Sequence, residues 1–177
     1  CRWLENYVPE TKPGERIAYH EVTYGWILGE LIERVTQRSF EENFKELVKA
    51  PLNLLSTKFV TDNLTGYPLE VRKHKSSNLN TIPMIFKLFA LNKIPLISGT
   101  CISNSNDLAL FYNAILNNDK WISNKTKNKI LKSHVKGIDY NDKMRLVKLG
   151  LGIRFDGEIY YQRGSDVSEM SFGHTGL

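Results

Sequence analysis

The chain of 177 residues is 41% hydrophobic and 11% aromatic, the composition of a globular domain with its own core, and no apolar run approaches the roughly 20 residues of a membrane span. Its formal net charge of +5 raises the question of a nucleic-acid partner, and residues 119–148 alone hold nine bases against three acids. Those lysines are scattered along a predicted polar helix and do not alternate with aromatic residues or arginine. We therefore interpret them as a solvated helix face and expect no nucleic-acid partner.

The first helix is predicted over residues 22–38, where apolar side chains recur at helical spacing: Val22, Trp26, Ile27, Leu28, Leu31, Ile32 and Val35. Gly25 and Gly29 lie inside this stretch, although a glycine costs about 1 kcal/mol relative to alanine in a helix interior. We therefore expect another backbone to approach this helix closely at the two glycines.

A second helix is predicted from Ser39, which forms the pattern of a capping box with Glu42, to about Lys49. Pro51 ends it, because proline cannot continue a helix. The side chains expected to face inward are Phe40, Phe44, Leu47 and Val48.

Three further helices are predicted along the chain. One covers roughly residues 83–91, and the next begins at Asn104 or Ser105, either of which can cap it. The apolar face of that capped helix consists of Leu108, Phe111, Tyr112, Ile115 and Leu116. The last of the three is expected near residues 125–133.

Beyond Met144 the pattern changes to short β-rich runs, RLVKLGLGIRF, EIYYQR and EMSFGHT, separated by the turn sequences DG and RGSD. Helices first and antiparallel strands last predict an α+β fold. We assign residues 1–143 to a mainly helical region and residues 144–177 to the start of an antiparallel sheet ending at a His-Thr-Gly tripeptide. So few strands would leave an unpaired edge, and we expect the sheet to continue in sequence beyond these 177 residues.

Two stretches carry residues suited to chemistry. Tyr19 lies in PGERIAYHEVTYG, just before the first predicted helix, and FGHTG lies near the end of the chain. Together with ISGTCISNSNDLALFYNAIL, they resemble the serine β-lactamase and penicillin-binding-protein superfamily, specifically the class C β-lactamase-related branch that includes esterases. The resemblance covers nearly the whole chain. It implies a β-lactamase/transpeptidase-like fold, represented mainly by the helical part and the first strands of the carboxy-terminal sheet.

The resemblance also implies an acyl-transfer chemistry. In this family a serine attacks an acyl carbon, and a lysine one helical turn further on, in a Ser-x-x-Lys pair, can take its proton. The resemblance implies that Tyr19 is the catalytic proton shuttle. It implies that His174, Thr175 and Gly176 bind substrate, with His174 where many members carry lysine. Glu21 is a further substrate-binding candidate; it replaces the asparagine of the family's Tyr-x-Asn and argues against ordinary β-lactam hydrolysis.

The sequence departs from the family most clearly at the nucleophile. Ser-x-x-Lys precedes the tyrosine in the family, but the residues before Tyr19 contain no serine. One Ser-x-x-Lys occurs, at Ser133–Lys136, and we reject it because it follows the tyrosine in a lysine-rich stretch where the pattern arises by chance; a helix end is the expected role. We therefore expect an internal fragment of a longer parent protein, inactive alone.

Two hypotheses of different class remain for the parent. It is a serine hydrolase that acts on an ester, amide or peptide through an acyl-enzyme, or it is a non-catalytic β-lactamase-like scaffold or binding protein. The expected partner is a small-molecule or peptide substrate with an acyl group, and the sequence leaves localisation and oligomeric state open. We expect no cofactor and no metal, because two cysteines are too few for a Cys-based zinc site and the four histidines form no ligand pattern.

Overall fold

The computed structural model describes residues 2–20, 22–59, 97–141, 146–155 and 171–174. The chain divides into two units, a first of Cys1–Arg2 with His20–Tyr112 and a second of Trp3–Tyr19 with Asn113–Leu177. In chain order the described elements are α1 (Arg2–Glu5), α2 (Thr23–Thr36), α3 (Phe40–Phe44), a π-helical segment (Lys45–Lys49), β1 (Lys58–Phe59), β2 (Cys101–Ile102), α4 (Ser105–Asn117), α5 (Asn124–Ile130), β3 (Val135–Ile138) and β4 (Leu146–Leu149).

Helix α2 confirms the first predicted helix and ends at Thr36, followed by the C-cap Gln37, whose backbone adopts the left-handed conformation with φ of 56°. Its buried positions are the two glycines. A Cβ atom added to Gly25 would lie 2.7 Å from the backbone nitrogen of Ser98, and one added to Gly29 would meet the side chain of Ile97. The expected close approach of a second backbone is therefore confirmed at Gly25, while Gly29 makes room for a side chain.

Most large apolar side chains of α2 are exposed, although its two glycines are buried. Within the part of the chain that the structure describes, its exposed large hydrophobic residues are Tyr24, Ile27, Leu28, Leu31 and Val35. Close packing at the glycines turns their face of the helix toward Ile97 and Ser98, and it leaves the bulkier stripe at the surface.

The predicted capping box at the start of α3 is confirmed. The Ser39 hydroxyl accepts from the Glu42 amide at 3.2 Å, and the Glu42 carboxylate accepts from the Ser39 amide at 2.8 Å. The Ser39 hydroxyl also donates to the Glu42 carboxylate at 2.7 Å, and this bond together with the one from the Ser39 amide holds the pKa of Glu42 below its ordinary value. Phe40 and Phe44 both contact the Phe59 ring edge-on, with centroids 4.9 and 5.0 Å apart.

The helix that begins at α3 continues as the π-helical segment Lys45–Lys49, which the sequence did not predict. A π-helical turn bonds each residue to the fifth one along instead of the fourth, so it shifts the following side chains around the axis. Leu47, predicted to face inward, lies in this segment and is exposed.

The first unit also contains a two-stranded antiparallel sheet of β1 and β2, with Lys58 opposite Ile102. Helix α4 begins directly after β2, and the side chain of Asn104 caps it by accepting from the Asp107 amide at 2.8 Å. Of the two capping residues that the sequence allowed, Asn104 is the one that makes this bond. On the predicted apolar face of α4, Ile115 is buried, whereas Leu108 and Leu116 are about half exposed.

The second unit centres on antiparallel pairing between β3 and β4, in which Val135 lies opposite Leu149 and Ile138 opposite Leu146. Leu149 continues the pairing to Arg154, and Arg154 pairs in turn with Gly173. Strand β3 lies within residues 1–143, the stretch predicted to be mainly helical. Helix α5, which precedes it, ends at Ile130 and not near residue 133. The buried hydrophobic residues here are Ala114, Ile115, Val147, Ile153 and Phe155.

Two of the predicted elements, the helix over residues 83–91 and the run EIYYQR, lie outside the described residues. Among the helices that the structure does describe, none combines the length and apolar character needed to cross a membrane.

Candidate active site

Tyr19 is held by the end of the segment that follows β3. Ile17 forms a parallel bridge with Asp139, and its carbonyl accepts from the Tyr140 amide at 2.7 Å. Two residues further on, the Asn141 side-chain amide donates to the carbonyl of Tyr19 at 3.1 Å. Tyr19 therefore follows this bridge and precedes α2 in the chain, as the sequence predicted, and it is half-buried.

His174 follows directly on a strand pairing. The amide of Arg154 donates to the Gly173 carbonyl at 2.8 Å, and the Gly173 amide donates back to Arg154 at 3.1 Å. Because side chains alternate across a strand, Phe172 and His174 lie on the same face of this pairing. The centroid of the Phe172 ring lies 6.4 Å from that of Phe155, which is buried.

The structure brings Tyr19 and His174 together from positions 155 residues apart in the sequence. The Tyr19 hydroxyl lies 3.2 Å from Nε2 of His174, and the two rings stack with centroids 5.8 Å apart and planes 26° apart. Either group can donate in this hydrogen bond, depending on which ring nitrogen of His174 carries the proton. Both residues belong to the second unit.

A hydroxyl and an imidazole at this distance can pass a proton between them. His174 is exposed and Tyr19 half-buried, so a molecule from solution can reach both groups. The pair thus offers a proton donor and a proton acceptor next to the bridge between Arg154 and Gly173.

The other predicted site residues are not placed with this pair. Glu21, Thr175 and Gly176 lie outside the described residues, so their assignment stays a prediction. His20, next to Tyr19 in the sequence, belongs to the other unit, where its Nδ1 lies 3.3 Å from the Thr23 hydroxyl at the start of α2. Among the described residues, no group of His, Cys, Asp or Glu side chains could hold a metal ion.

The rejected Ser-x-x-Lys at Ser133–Lys136 spans the junction between α5 and β3. Ser133 lies beyond the end of α5, while Val135 and Lys136 belong to the strand. The prediction of a helix end was therefore wrong, but the rejection gains a physical basis. A serine and lysine three residues apart share a face only on a helix, and no helix spans these two.

Asn141 contacts Tyr19, and the sequence did not indicate this contact. Asn141 is exposed, it lies in an ordinary turn sequence, DYND, and 122 residues separate it from Tyr19. No local pattern reports such a contact, because it depends on the parallel bridge between Ile17 and Asp139.

Comparison with known proteins assigns the chain to a family. The family model described as Beta-lactamase matches residues 1–177. The chain belongs to the β-lactamase family. Its scaffold is accordingly that of the β-lactamase-related serine hydrolases, and the α+β, β-lactamase/transpeptidase-like fold expected from the sequence is confirmed.

A solved structure of similar fold is the crystal structure of a novel penicillin-binding protein homologue from Caulobacter crescentus. It is 18% identical in sequence with a TM-score of 0.69, and the match covers 96% of this chain but 50% of the other. This member of the β-lactamase family therefore spans half the length of that structure. No curated protein matches the chain significantly.

Proposed function

We propose that the protein to which these residues belong is a serine hydrolase that cleaves an ester, amide or peptide through an acyl-enzyme. Tyr19 is its proton shuttle, and His174, Thr175, Gly176 and Glu21 bind the substrate. Membership of the β-lactamase family supports the reaction class. The observation that carries the assignment is the 3.2 Å contact between the Tyr19 hydroxyl and Nε2 of His174, two groups that the family resemblance implicated separately.

In this contact the hydroxyl and the imidazole can have different roles in proton transfer. A tyrosine hydroxyl has a high ordinary pKa, near 10, and transfers a proton efficiently only with a partner that accepts or supplies one. Nε2 of His174 is such a partner. Lysine, common at this position in the family, can only donate when charged, whereas histidine can both donate and accept. His174 therefore adds an acceptor to a site where the family usually has a cation.

The nucleophile of this reaction is not among residues 1–18, which contain no serine. We therefore propose that the 177 residues alone do not form an acyl-enzyme, because a proton shuttle without its nucleophile loses the acyl-transfer route. The whole protein, with a Ser-x-x-Lys serine, would regain it.

Labelling with serine-reactive probes tests the proposal. The full-length protein is treated with a fluorophosphonate and with an activated ester, and covalent adduct and ester turnover are measured. Tyr19→Phe is expected to lower kcat/KM for the ester by about 100-fold, the lower end of the usual contribution of general acid–base catalysis. Tyr24→Phe, which removes the hydroxyl of an exposed tyrosine on α2, is the matched control and is expected to leave turnover unchanged.

The 177-residue chain is run in parallel and is expected to give neither adduct nor saturable turnover. Saturable ester hydrolysis by that chain would contradict the inactivity proposed for it. A folded full-length protein that takes up no acylating probe would instead favour the non-catalytic scaffold or binding protein.

A further inference from the structure

The main chain at Tyr19 lies in neither a helix nor a strand. Residues 18–20 carry no regular secondary structure between the bridge at Ile17 and the start of α2 at Thr23. The hydroxyl of a tyrosine stands at the far end of a long side chain, so a small rotation of its backbone displaces that oxygen considerably. A contact from outside this segment can therefore support the orientation of Tyr19 toward His174.

The side chain of Asn141 supplies that support. Its Nδ2 donates to the carbonyl of Tyr19 at 3.1 Å, which is a normal hydrogen-bond length. The donor is specific to an amide: a carboxylate of the same shape can only accept, and it would set an oxygen against the Tyr19 carbonyl.

Asn141 is itself held in place. Its backbone amide donates to Oδ1 of Asp139 at 2.9 Å, in the manner of an Asx turn, and Asp139 is buried with 4% exposure. Between them, the Tyr140 amide donates to the carbonyl of Ile17, and the Arg16 guanidinium lies 4.3 Å from the centre of the Tyr140 ring. Residues 139–141 thus contact residues 16–19 at three places: Tyr140 stacks with Arg16, the Tyr140 amide bonds to Ile17, and Asn141 bonds to Tyr19.

We propose that Asn141 is a positioning residue for Tyr19, holding the tyrosine backbone so that its hydroxyl meets Nε2 of His174. The proposal rests on the function proposed above only for its kinetic consequence. Its structural consequence, the maintenance of the contact between Tyr19 and His174, stands independently of any catalytic activity.

The first test reads the contact itself by NMR in the full-length protein. The ¹⁵N shift of Nε2 in His174 reports its hydrogen bonding, and Tyr19→Phe supplies the value without the hydroxyl. Asn141→Asp is expected to move the shift most of the way toward the Tyr19→Phe value. Asn113→Asp is the control: Asn113 is exposed, its side-chain oxygen accepts from Asn117 at 2.8 Å, and aspartate retains that oxygen. It is expected to leave the wild-type shift unchanged.

Asn141→Ala guards against an effect of the added charge, since it removes the donor without introducing a carboxylate. It is expected to move the shift in the same direction, and thermal unfolding confirms that each variant remains folded. Wild-type shifts in both folded Asn141 variants would overturn the proposal. So would a His174 shift that Tyr19→Phe leaves unaltered, because the contact would then be absent in solution.

The second test is kinetic and separates this inference from the proposed function. In the full-length protein, Asn141→Ala is expected to lower kcat for the activated ester about fivefold, the usual worth of one hydrogen bond, with KM within twofold of wild type. A change confined to KM would overturn the positioning role. If Tyr19→Phe itself leaves turnover unaltered, the proposed function fails while the NMR result still decides the role of Asn141.

Discussion

Asp107 is a single carboxylate that joins distant parts of the first unit. Its Oδ2 accepts from the amides of Ser56 and Thr57 at 2.9 and 2.8 Å and from the Thr57 hydroxyl at 2.8 Å. The residue is 2% exposed. Burial raises the pKa of the carboxyl, but the hydrogen bonds from the Thr57 side chain and from the Ser56 and Thr57 amides outweigh it, so the pKa of Asp107 lies below its ordinary value.

A folded-state pKa below the unfolded one means that Asp107 stabilises the fold above about pH 4, the ordinary pKa of aspartate, and that this contribution is lost as the pH falls through the folded value. Asp107→Asn is therefore expected to lower the melting temperature at pH 7, because a neutral amide oxygen accepts these hydrogen bonds more weakly than a charged carboxylate. The gap between wild type and variant is expected to shrink at pH 3.

Melting temperatures measured from pH 7 to pH 3 check this expectation. Asp119→Asn, which removes an exposed carboxylate paired with Lys127, is the control and is expected to have little effect. A gap that stays constant over the whole range would contradict the assignment of the stabilisation to the charged form of Asp107.

At the scale of the element, α2 depends on contacts that its apolar pattern does not indicate. Its two glycines are buried against Ile97 and Ser98, and the Ser98 hydroxyl donates to the carbonyl of Val22 at 3.3 Å. The helix thus packs by backbone proximity, so it tolerates glycines that would otherwise weaken it.

Gly25→Ala is expected to destabilise the protein by about 1–3 kcal/mol, the usual cost of overpacking, because the new Cβ would lie 2.7 Å from a backbone atom that cannot rotate away. Gly29→Ala is the matched comparison. Its Cβ meets the flexible end of the Ile97 side chain, so the loss is expected to be smaller. Urea unfolding of the three proteins measures both, and a Gly25→Ala protein as stable as wild type would refute the close approach.

At the scale of the whole molecule, the described lysines of residues 119–148 are spread over several elements. Lys125, Lys127 and Lys129 lie on α5, Lys136 on β3 and Lys148 on β4, and Lys127 is engaged by Asp119 and by the carbonyl of Leu116. Lys136 and Lys148 lie opposite each other in the sheet. A continuous stripe of lysines with stacking aromatic residues is the pattern that binds nucleic acid, and the lysines described on these three elements do not form one.

We expect the protein to bind duplex DNA with a Kd weaker than about 10⁻⁴ M at physiological salt, the weak end of ordinary non-specific binding. Fluorescence anisotropy with a labelled 20-base-pair duplex, repeated across a salt series, measures it. A Kd below about 10⁻⁵ M that weakens steeply with salt would show that the lysines act together as a polyanion site.

The sequence predicted best what depends on near neighbours. The capping box at Ser39, the cap at Asn104 and the helix containing Gly25 rely on residues within a few positions of one another, and all three are found. The start of β3 at Val135 was missed, because a lysine-rich stretch after a helix gives no local signal that it will pair with β4. The π-helical segment was missed for a related reason, since it forms within an ordinary helical pattern.

For the candidate site, the sequence by itself determined the residue types and the family: Tyr19 before a helix and His174 beside a glycine, within a chain whose β-lactamase membership the family model confirms. Only the tertiary structure decided that these two side chains meet at 3.2 Å and that Asn141 holds one of them. The physical reason is the distance along the sequence over which each kind of interaction acts. Caps and periodicity act over one helical turn, whereas these contacts depend on strand register and on bridges between segments more than 100 residues apart.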